Sequence, residues 1–330
     1  MQPPRFWQNP PDAPGWKARA LAPLAALTAA VTARRVARRA DGYRAPVPVI
    51  CVGNVHLGGT GKTPAVMALV ERLLARGVKV HVVSRGYGGS EKAVLRVDPG
   101  RHDAARVGDE PLMLAAFAPV WVARDRAAGV RAAVAAGAGA VLLDDGFQNP
   151  SVIQDAAILT VDAREGFGNG RVAPAGPLRE PVATALRRAD LVLTLGDAEA
   201  QARFDALWSV APLPRLAAEA KPLQTGMDWQ GLAVFAFAGI GRPGKFFDTL
   251  RRLGADLRGT VALDDHQPIG DALLKRIATE AGALGAELVT TEKDAVRLPP
   301  EWRGRMLILP VRLEPVDWAP IDSLFERLGL

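Results

Sequence analysis

From residue 46 onward, short apolar runs alternate with longer amphipathic stretches. Residues 48–52 (PVICV), 79–83 (KVHVV), 120–123, 140–143 (AVLL), 157–161 (AILTV) and 190–195 (DLVLTL) are brief and rich in β-branched side chains, which predicts strands. They show little polar alternation, so both faces of each strand are expected to be covered, as in a mostly parallel sheet with helices on two sides. Between them, residues 63–76 and 126–136 predict helices, the first stopped by Gly77. A Pro-containing stretch, 211–222, interrupts the rhythm. Beyond it, residues 232–238 (LAVFAFA), 287–290 (ELVT) and 306–311 (MLILPV) predict strands, with a helix from Pro243 to about Leu253. The pattern predicts a larger α/β domain over 46–222 and a smaller α/β unit over 223–330, whose last strand and helix can pack back on the first.

Residues 1–45 read differently. Leu21, Leu24, Leu27 and Val31 recur at helical spacing, and Arg34, Arg35, Arg38 and Arg39 follow them, a basic amphipathic helix with its cations at the end that suits the helix dipole. The uncharged run 20–33 is 14 residues long, short of the roughly 20 that a membrane-crossing helix needs. Such a helix either packs on the protein's own core with solvated arginines or lies on an anionic lipid surface.

The charge count isolates this arm. It holds eight cations and two anions, whereas the other 285 residues hold 33 of each. All of the net charge of +6 therefore sits in 45 residues. A broad nucleic-acid-binding face would need the excess spread over a domain, so nucleic acid is not an expected partner, and no protein partner is inferred. With 49% hydrophobic and 23% charged residues the chain is globular. A lone Cys51 excludes an internal disulfide, and one Cys with four His excludes a structural zinc cluster.

Gly58-Gly59-Thr60-Gly61-Lys62-Thr63 follows the first strand and opens a helix, the setting of an ATP-binding phosphate loop. Glycines let backbone N–H groups converge on phosphate oxygens, Lys62 reaches the terminal phosphates and the Thr63 hydroxyl takes Mg²⁺. The strict pattern wants Gly where His56 stands, so this is a variant, and His56 reads as a loop filler. The partner motif is an apolar strand ending in acid, supplied by Val141-Leu142-Leu143-Asp144-Asp145, with both acids as candidate Mg²⁺ ligands. The predicted fold is thus a P-loop NTPase-type sheet sandwiched by helices, with the smaller domain and the N-terminal helix attached.

Further phrases occur in order: Gly53-Asn54, SRGYGG (84–89), GDEP (108–111), DDGFQ (144–148), AGPLRE (175–180), AGIG (238–241), Asp265-His266 and TTEKD (290–294). Together with the phosphate loop, this set closely resembles the tetraacyldisaccharide 4′-kinase family of the lipid A pathway. The resemblance implies Mg²⁺-dependent transfer of the γ-phosphoryl group of ATP to the 4′-hydroxyl of a tetraacylated glucosamine disaccharide 1-phosphate. It implies a peripheral protein on the cytoplasmic face of the bacterial inner membrane, and two domains that close around nucleotide and lipid headgroup. Asp109 of GDEP becomes the candidate base, with His266 as its partner; read alone, Asp109 is a helix cap. Arg179 and Glu180 are candidate substrate contacts, Arg179 as a clamp on a phosphate. Arg85 and Tyr87 follow a strand end, where α/β sheets bind ligands. The segment 292–294 reads as a site wall. Asn149, Gln154 and Gln267 depart from the family pattern and bear on the lining of the acceptor pocket. A lipid acceptor favours the membrane reading of the arm.

Two other classes fit parts of this pattern. A membrane-positioned ATPase switch of the partitioning or targeting type also joins such a loop to an amphipathic helix, but that class carries Lys before the two glycines, where this chain has Leu57. A soluble small-molecule kinase or ligase of the dethiobiotin synthetase kind leaves the basic arm without a role.

Overall fold

The computed structural model describes residues 3–264 and 267–330. Thirteen strands lie within them: β1 (Val49–Gly53), β2 (Val80–Ser84), β3 (Leu95–Arg96), β4 (Val120–Val122), β5 (Ala140–Asp144), β6 (Ala156–Asp162), β7 (Leu191–Leu195), β8 (Arg215–Pro222), β9 (Ala233–Ala238), β10 (Asp256–Ala262), β11 (Glu287–Thr291), β12 (Leu307–Leu309) and β13 (Val311–Pro315). Nine form one sheet in the order β13-β8-β7-β6-β1-β5-β2-β4-β3, and four form a second in the order β10-β9-β11-β12. The large sheet is parallel except at its two edges, where β3 and β13 run antiparallel to their neighbours. The small sheet is parallel throughout.

Strand β1 shows why the runs lack polar alternation. Ile50 and Val52 enter one hydrophobic layer with Leu69, Leu73 and Leu142. Val49 and Cys51 enter the layer on the other face with Leu143, Leu159 and Phe167. Successive side chains point to opposite faces, and helices cover both. The helix Lys62–Ala75 supplies the first layer and Arg126–Ala135 the second. The small sheet is layered alike: Phe235 and Phe237 face one core, Val234, Ala236 and Ala238 the other.

Two expectations are corrected. Residues 211–222 do not break the rhythm, because β8 runs within them and buries Leu216 and Ala218 beside β7. Its period-two signal spans only those two positions between Pro214 and Pro222, too little to register in the sequence. Residues 306–311 are not one strand. Leu307–Leu309 belongs to the small sheet and Val311–Pro315 to the large one, with Pro310 between them. The chain then ends on the large sheet, where Ile321, Leu324 and Phe325 of the helix Ala319–Arg327 join the first core layer.

The arm forms the helices Gly15–Ala20 and Ala22–Ala37. Leu21, Ala25 and Ala29 pack on Val172 and Ala175 of the body, steps of four that make a narrow contact face. Ahead of them Trp7 donates from Nε1 to the Pro174 carbonyl at 3.1 Å, and Asn169 N–H donates to the Trp7 carbonyl at 2.8 Å. Leu21 therefore departs from the single apolar face expected for it. Leu24, Leu27 and Val31 point away and are 55%, 64% and 58% exposed. Among the described residues no helix is long and apolar enough to cross a membrane.

Candidate active site

Strand β1 delivers the phosphate loop. Asn54, just past its end, donates from Nδ2 to the Gly58 carbonyl at 2.9 Å and to Thr60 Oγ1 at 3.0 Å. Thr60 meets Thr160 Oγ1 of β6 at 3.1 Å, and Thr160 in turn donates to the Gly53 carbonyl. The loop is thus pinned from within the sheet before any ligand arrives. Gly61 takes a φ of 80° at the helix start, a conformation that side-chain-bearing residues rarely adopt. Gly58 and Gly59 face open space, where an added Cβ would touch nothing within 4 Å.

His56 is a structural anchor rather than a filler. Its buried ring places Nε2 2.9 Å from the Gly166 carbonyl, and burial holds its pKa below the usual histidine value.

The acids at the end of β5 differ sharply. Asp144 is buried and accepts from Ser84 Oγ of β2 at 2.9 Å, while its Oδ1 has no hydrogen-bond partner. Burial, reinforced by nearby Glu110 and opposed by Lys62, pushes its carboxyl up to about 7. Asp145 has a φ of 52°, an unusual backbone for a residue other than glycine. Burial pushes this second carboxyl up, but Lys62 and Arg179 outweigh that and hold it below its ordinary value. Lys62 Nζ lies 3.5 Å and Arg179 Nη1 3.3 Å from Asp145 Oδ1. Two cations from separate loops therefore meet on one carboxylate beside the phosphate loop.

Arg179 also donates to Gln148 Oε1 at 3.2 Å, and Gln148 donates to the Asn54 carbonyl at 2.8 Å and to Glu180 Oε1 at 3.0 Å. Glu180 faces inward, its side chain only 2% exposed and paired with Arg188 at 2.5 Å. It supports the loop from beneath, and Arg179 alone of that pair reaches the cavity.

A cavity of about 360 Å³ opens here, lined among others by Arg35, Arg85, Arg124, Arg126, Arg179 and Asp145. Five guanidinium groups around one carboxylate suit an anionic ligand. Arg85 and Arg179 were legible in the motifs. Arg35 was read only as one of the arm's basic residues and Arg124 was not singled out, because the arm and the strand end after β4 meet only in the fold. Arg126 was missed as well. It is buried, donating to the carbonyls of Ala123 and Asp144, and burial pushes its pKa down to about 10 against the pull of Asp144 and Asp145.

Tyr87 is exposed on the loop after β2. Gly108 (φ 92°) packs under that loop, where an added Cβ would lie 2.6 Å from the Tyr87 carbonyl. Asp109 follows and opens the helix Asp109–Leu114. Its Oδ2 lies 3.5 Å from Nη1 of Arg297 in the small lobe, a residue that sequence reasoning did not single out. Asp265 and His266 lie outside the described residues.

The departures from the family pattern each have a local partner. Asn149 lines the cavity and accepts from Ser151 N–H at 2.8 Å. Gln154 donates to the Gly146 carbonyl at 2.9 Å. Gln267 Oε1 closes a turn by accepting from Asp264 N–H at 3.0 Å. Of the segment 292–294, Glu292 binds Arg312 at 2.8 Å and Asp294 is buried.

The family model for tetraacyldisaccharide-1-P 4′-kinase matches residues 17–328. The tetraacyldisaccharide 4′-kinase of Dinoroseobacter shibae is 63% identical, covering 99% of this chain and 98% of its own length. The protein of that name from a Jannaschia species is 55% identical, covering 99% of each. Among solved structures, LpxK from Aquifex aeolicus, crystallised in complex with ATP, superposes with a TM-score of 0.75 at 24% identity. The match covers 94% of this chain and 99% of that one, a likeness of fold.

Proposed function

Because the chain belongs to the tetraacyldisaccharide-1-P 4′-kinase family, we propose how its site performs that family's reaction. The protein is a kinase of lipid A synthesis that uses ATP to phosphorylate the 4′-hydroxyl of a lipid disaccharide. Membership leaves the ATPase-switch alternative disfavoured, in keeping with Leu57 in place of a lysine.

Phosphoryl transfer asks for a positioned phosphate chain, neutralised charge and an acceptor for the hydroxyl proton. The backbone N–H groups from Gly58 to Gly61 cradle the phosphates, with Lys62 on the terminal ones. Lys62 and Arg179 exchange the Asp145 carboxylate for phosphate oxygens when ATP binds. Their meeting on Asp145 is the observation that carries this reading. The buried Oδ1 of Asp144, without a hydrogen-bond partner, fits a divalent cation. Thr63, Asp144 and Asp145 would hold Mg²⁺, which supplies charge neutralisation at the phosphates. Asp109 accepts the hydroxyl proton with His266 as its partner. Arg85, Tyr87 and Arg179 meet the disaccharide, joined in the cavity by Arg35 and Arg124.

The arm lies on an anionic lipid surface, with Leu24, Leu27 and Val31 in the apolar boundary and the arginines at the headgroups. In this reading the enzyme sits peripherally on the cytoplasmic face of the bacterial inner membrane.

The test is ATP turnover with and without tetraacyldisaccharide 1-phosphate. The expected outcome is ADP release that depends on the lipid, with a bis-phosphorylated product by mass spectrometry. Equal ADP release in both arms and no new phosphomonoester would reject the assignment.

A further inference from the structure

Arg297 is a buried cation that the reaction as described leaves unused. Its side chain is 6% exposed. It follows the short helix Glu292–Ala295 in the small lobe. Four acceptors surround its guanidinium. Nη1 lies 3.5 Å from Asp109 Oδ2 and donates to the Gly239 carbonyl at 3.3 Å. Nη2 lies 3.4 Å from Asp294 Oδ1 and donates to the Gln267 carbonyl at 2.6 Å.

Three of these four partners belong to the small lobe and one to the large. The small-lobe side is rigid. Asp294 Oδ2 accepts from Gly239 N–H at 3.0 Å and from Thr291 Oγ1 at 2.7 Å. An added Cβ on Gly239 would lie 3.0 Å from Arg297 Nη2 and 3.1 Å from Asp294 Oδ1, so that backbone is pressed against the ion pair. A planar guanidinium held on three sides has one direction left in which to present its remaining N–H groups. That direction points across the interlobe boundary to Asp109. A buried carboxylate requires a compensating charge and fixed geometry, and Arg297 supplies both from the other lobe. Gln267 is also the residue after His266 in the chain, so the same side chain anchors the segment that carries the second candidate.

We propose that Arg297 is a positioning residue for phosphoryl transfer, holding the Asp109 carboxylate in its working place from the opposite lobe. This rests on the reading of Asp109 as the base. Arg297 acts through Asp109 and has no part in binding nucleotide. Base placement is then conditional on apposition of the lobes, since the two partners belong to different lobes.

The experiment compares Arg297→Gln, Arg297→Lys, Asp109→Asn and the Arg297→Gln/Asp109→Asn double variant in the full chain. Lipid-dependent turnover is read alongside a thermal melt. Arg297→Gln is expected to lower kcat about 10- to 100-fold, the scale of a misplaced reacting group, with KM for ATP unchanged. Arg297→Lys keeps the charge without the fork and is expected to recover part of that loss. It also serves if the Gln variant fails to fold. In the Asp109→Asn background, Arg297→Gln is expected to cost nothing further, a non-additivity that a merely structural role would not produce. Wild-type kcat in both Arg297 variants, or an equal loss in both backgrounds, would overturn the proposal. Normal turnover in Asp109→Asn would instead remove the base itself, and the proposal with it.

Discussion

Around Lys62, the side chains of Asn54 and Thr60 in the loop and Thr160 in β6 bond to one another and to the loop backbone, all of them buried. In the neighbouring cavity, Arg35, Arg85 and Arg124 come from the arm and from two separate strand ends, and all three are exposed. The phosphate corner is set before its ligand arrives. The acceptor side is a loose ring of charge whose geometry the ligand completes. Preorganised groups act mainly on kcat, because they are aimed at charge that develops in the transition state. Flexible cations act mainly on binding, since they must first lose side-chain freedom.

Four measurements test that contrast. Lys62→Ala should lower kcat about 100- to 1000-fold, the usual cost of one preorganised charge contact, with the lipid KM little changed. A loss confined to KM would break the contrast at its stronger end. The arm has the next largest effect. Replacing Leu24, Leu27 and Val31 together by Ser removes roughly 2 kcal/mol of half-immersed apolar surface. Sedimentation with anionic vesicles should then weaken about 30-fold, while turnover on detergent-dispersed lipid stays normal. Unchanged sedimentation would send the arm back to a purely internal role. Arg85→Ala should raise KM for the lipid about tenfold, or ~1.4 kcal/mol, with kcat nearly intact; a kcat effect as large as that of Lys62→Ala would erase the distinction.

The smallest effect concerns pH. In the folded state burial holds His56 below the ordinary histidine value of about 6.5. As pH falls through 6.5 the unfolded chain takes up a proton that the folded one resists. His56 therefore costs no stability above that pH and an increasing amount as acid is added, down to its folded pKa. Denaturant melts of His56→Gln should show a flatter decline in stability below pH 6.5 than wild type. Parallel curves would show that His56 does not tie the phosphate corner to proton uptake.

The same contrast decides what could be read from the sequence. The phosphate loop and Asp144-Asp145 were legible because each is contiguous and sits where a strand ends, so spacing alone reports its chemistry. The central strands were legible because runs buried on both faces, such as 140–143, leave an unbroken apolar signature. Strand β8 was not, since it buries only Leu216 and Ala218 and leaves its other positions partly or fully exposed. Residues 306–311 misled because hydropathy does not reveal which sheet a strand joins, and Pro310 marks the change. Arg124, Arg126 and Arg297 carried no local signal. Their partners are a strand-end carbonyl, a cavity and a carboxylate in another lobe, all set by topology. Glu180 was legible as part of a motif, yet its direction, inward to Arg188, depended on packing.

The change of sheet at Pro310 has a mechanical outcome. The chain leaves the large sheet after β8 and re-enters it at β13, the adjacent antiparallel strand, and Leu223 N–H donates to the Pro310 carbonyl at 2.9 Å between the two crossings. Exit and entry thus form a single two-ply strap. With both passages of the chain side by side, a pull on the small lobe is shared between two hydrogen-bonded plies. Arg297 lies on one side of that strap and Asp109 on the other, so their 3.5 Å pair is a non-covalent link across the same boundary that the strap crosses covalently.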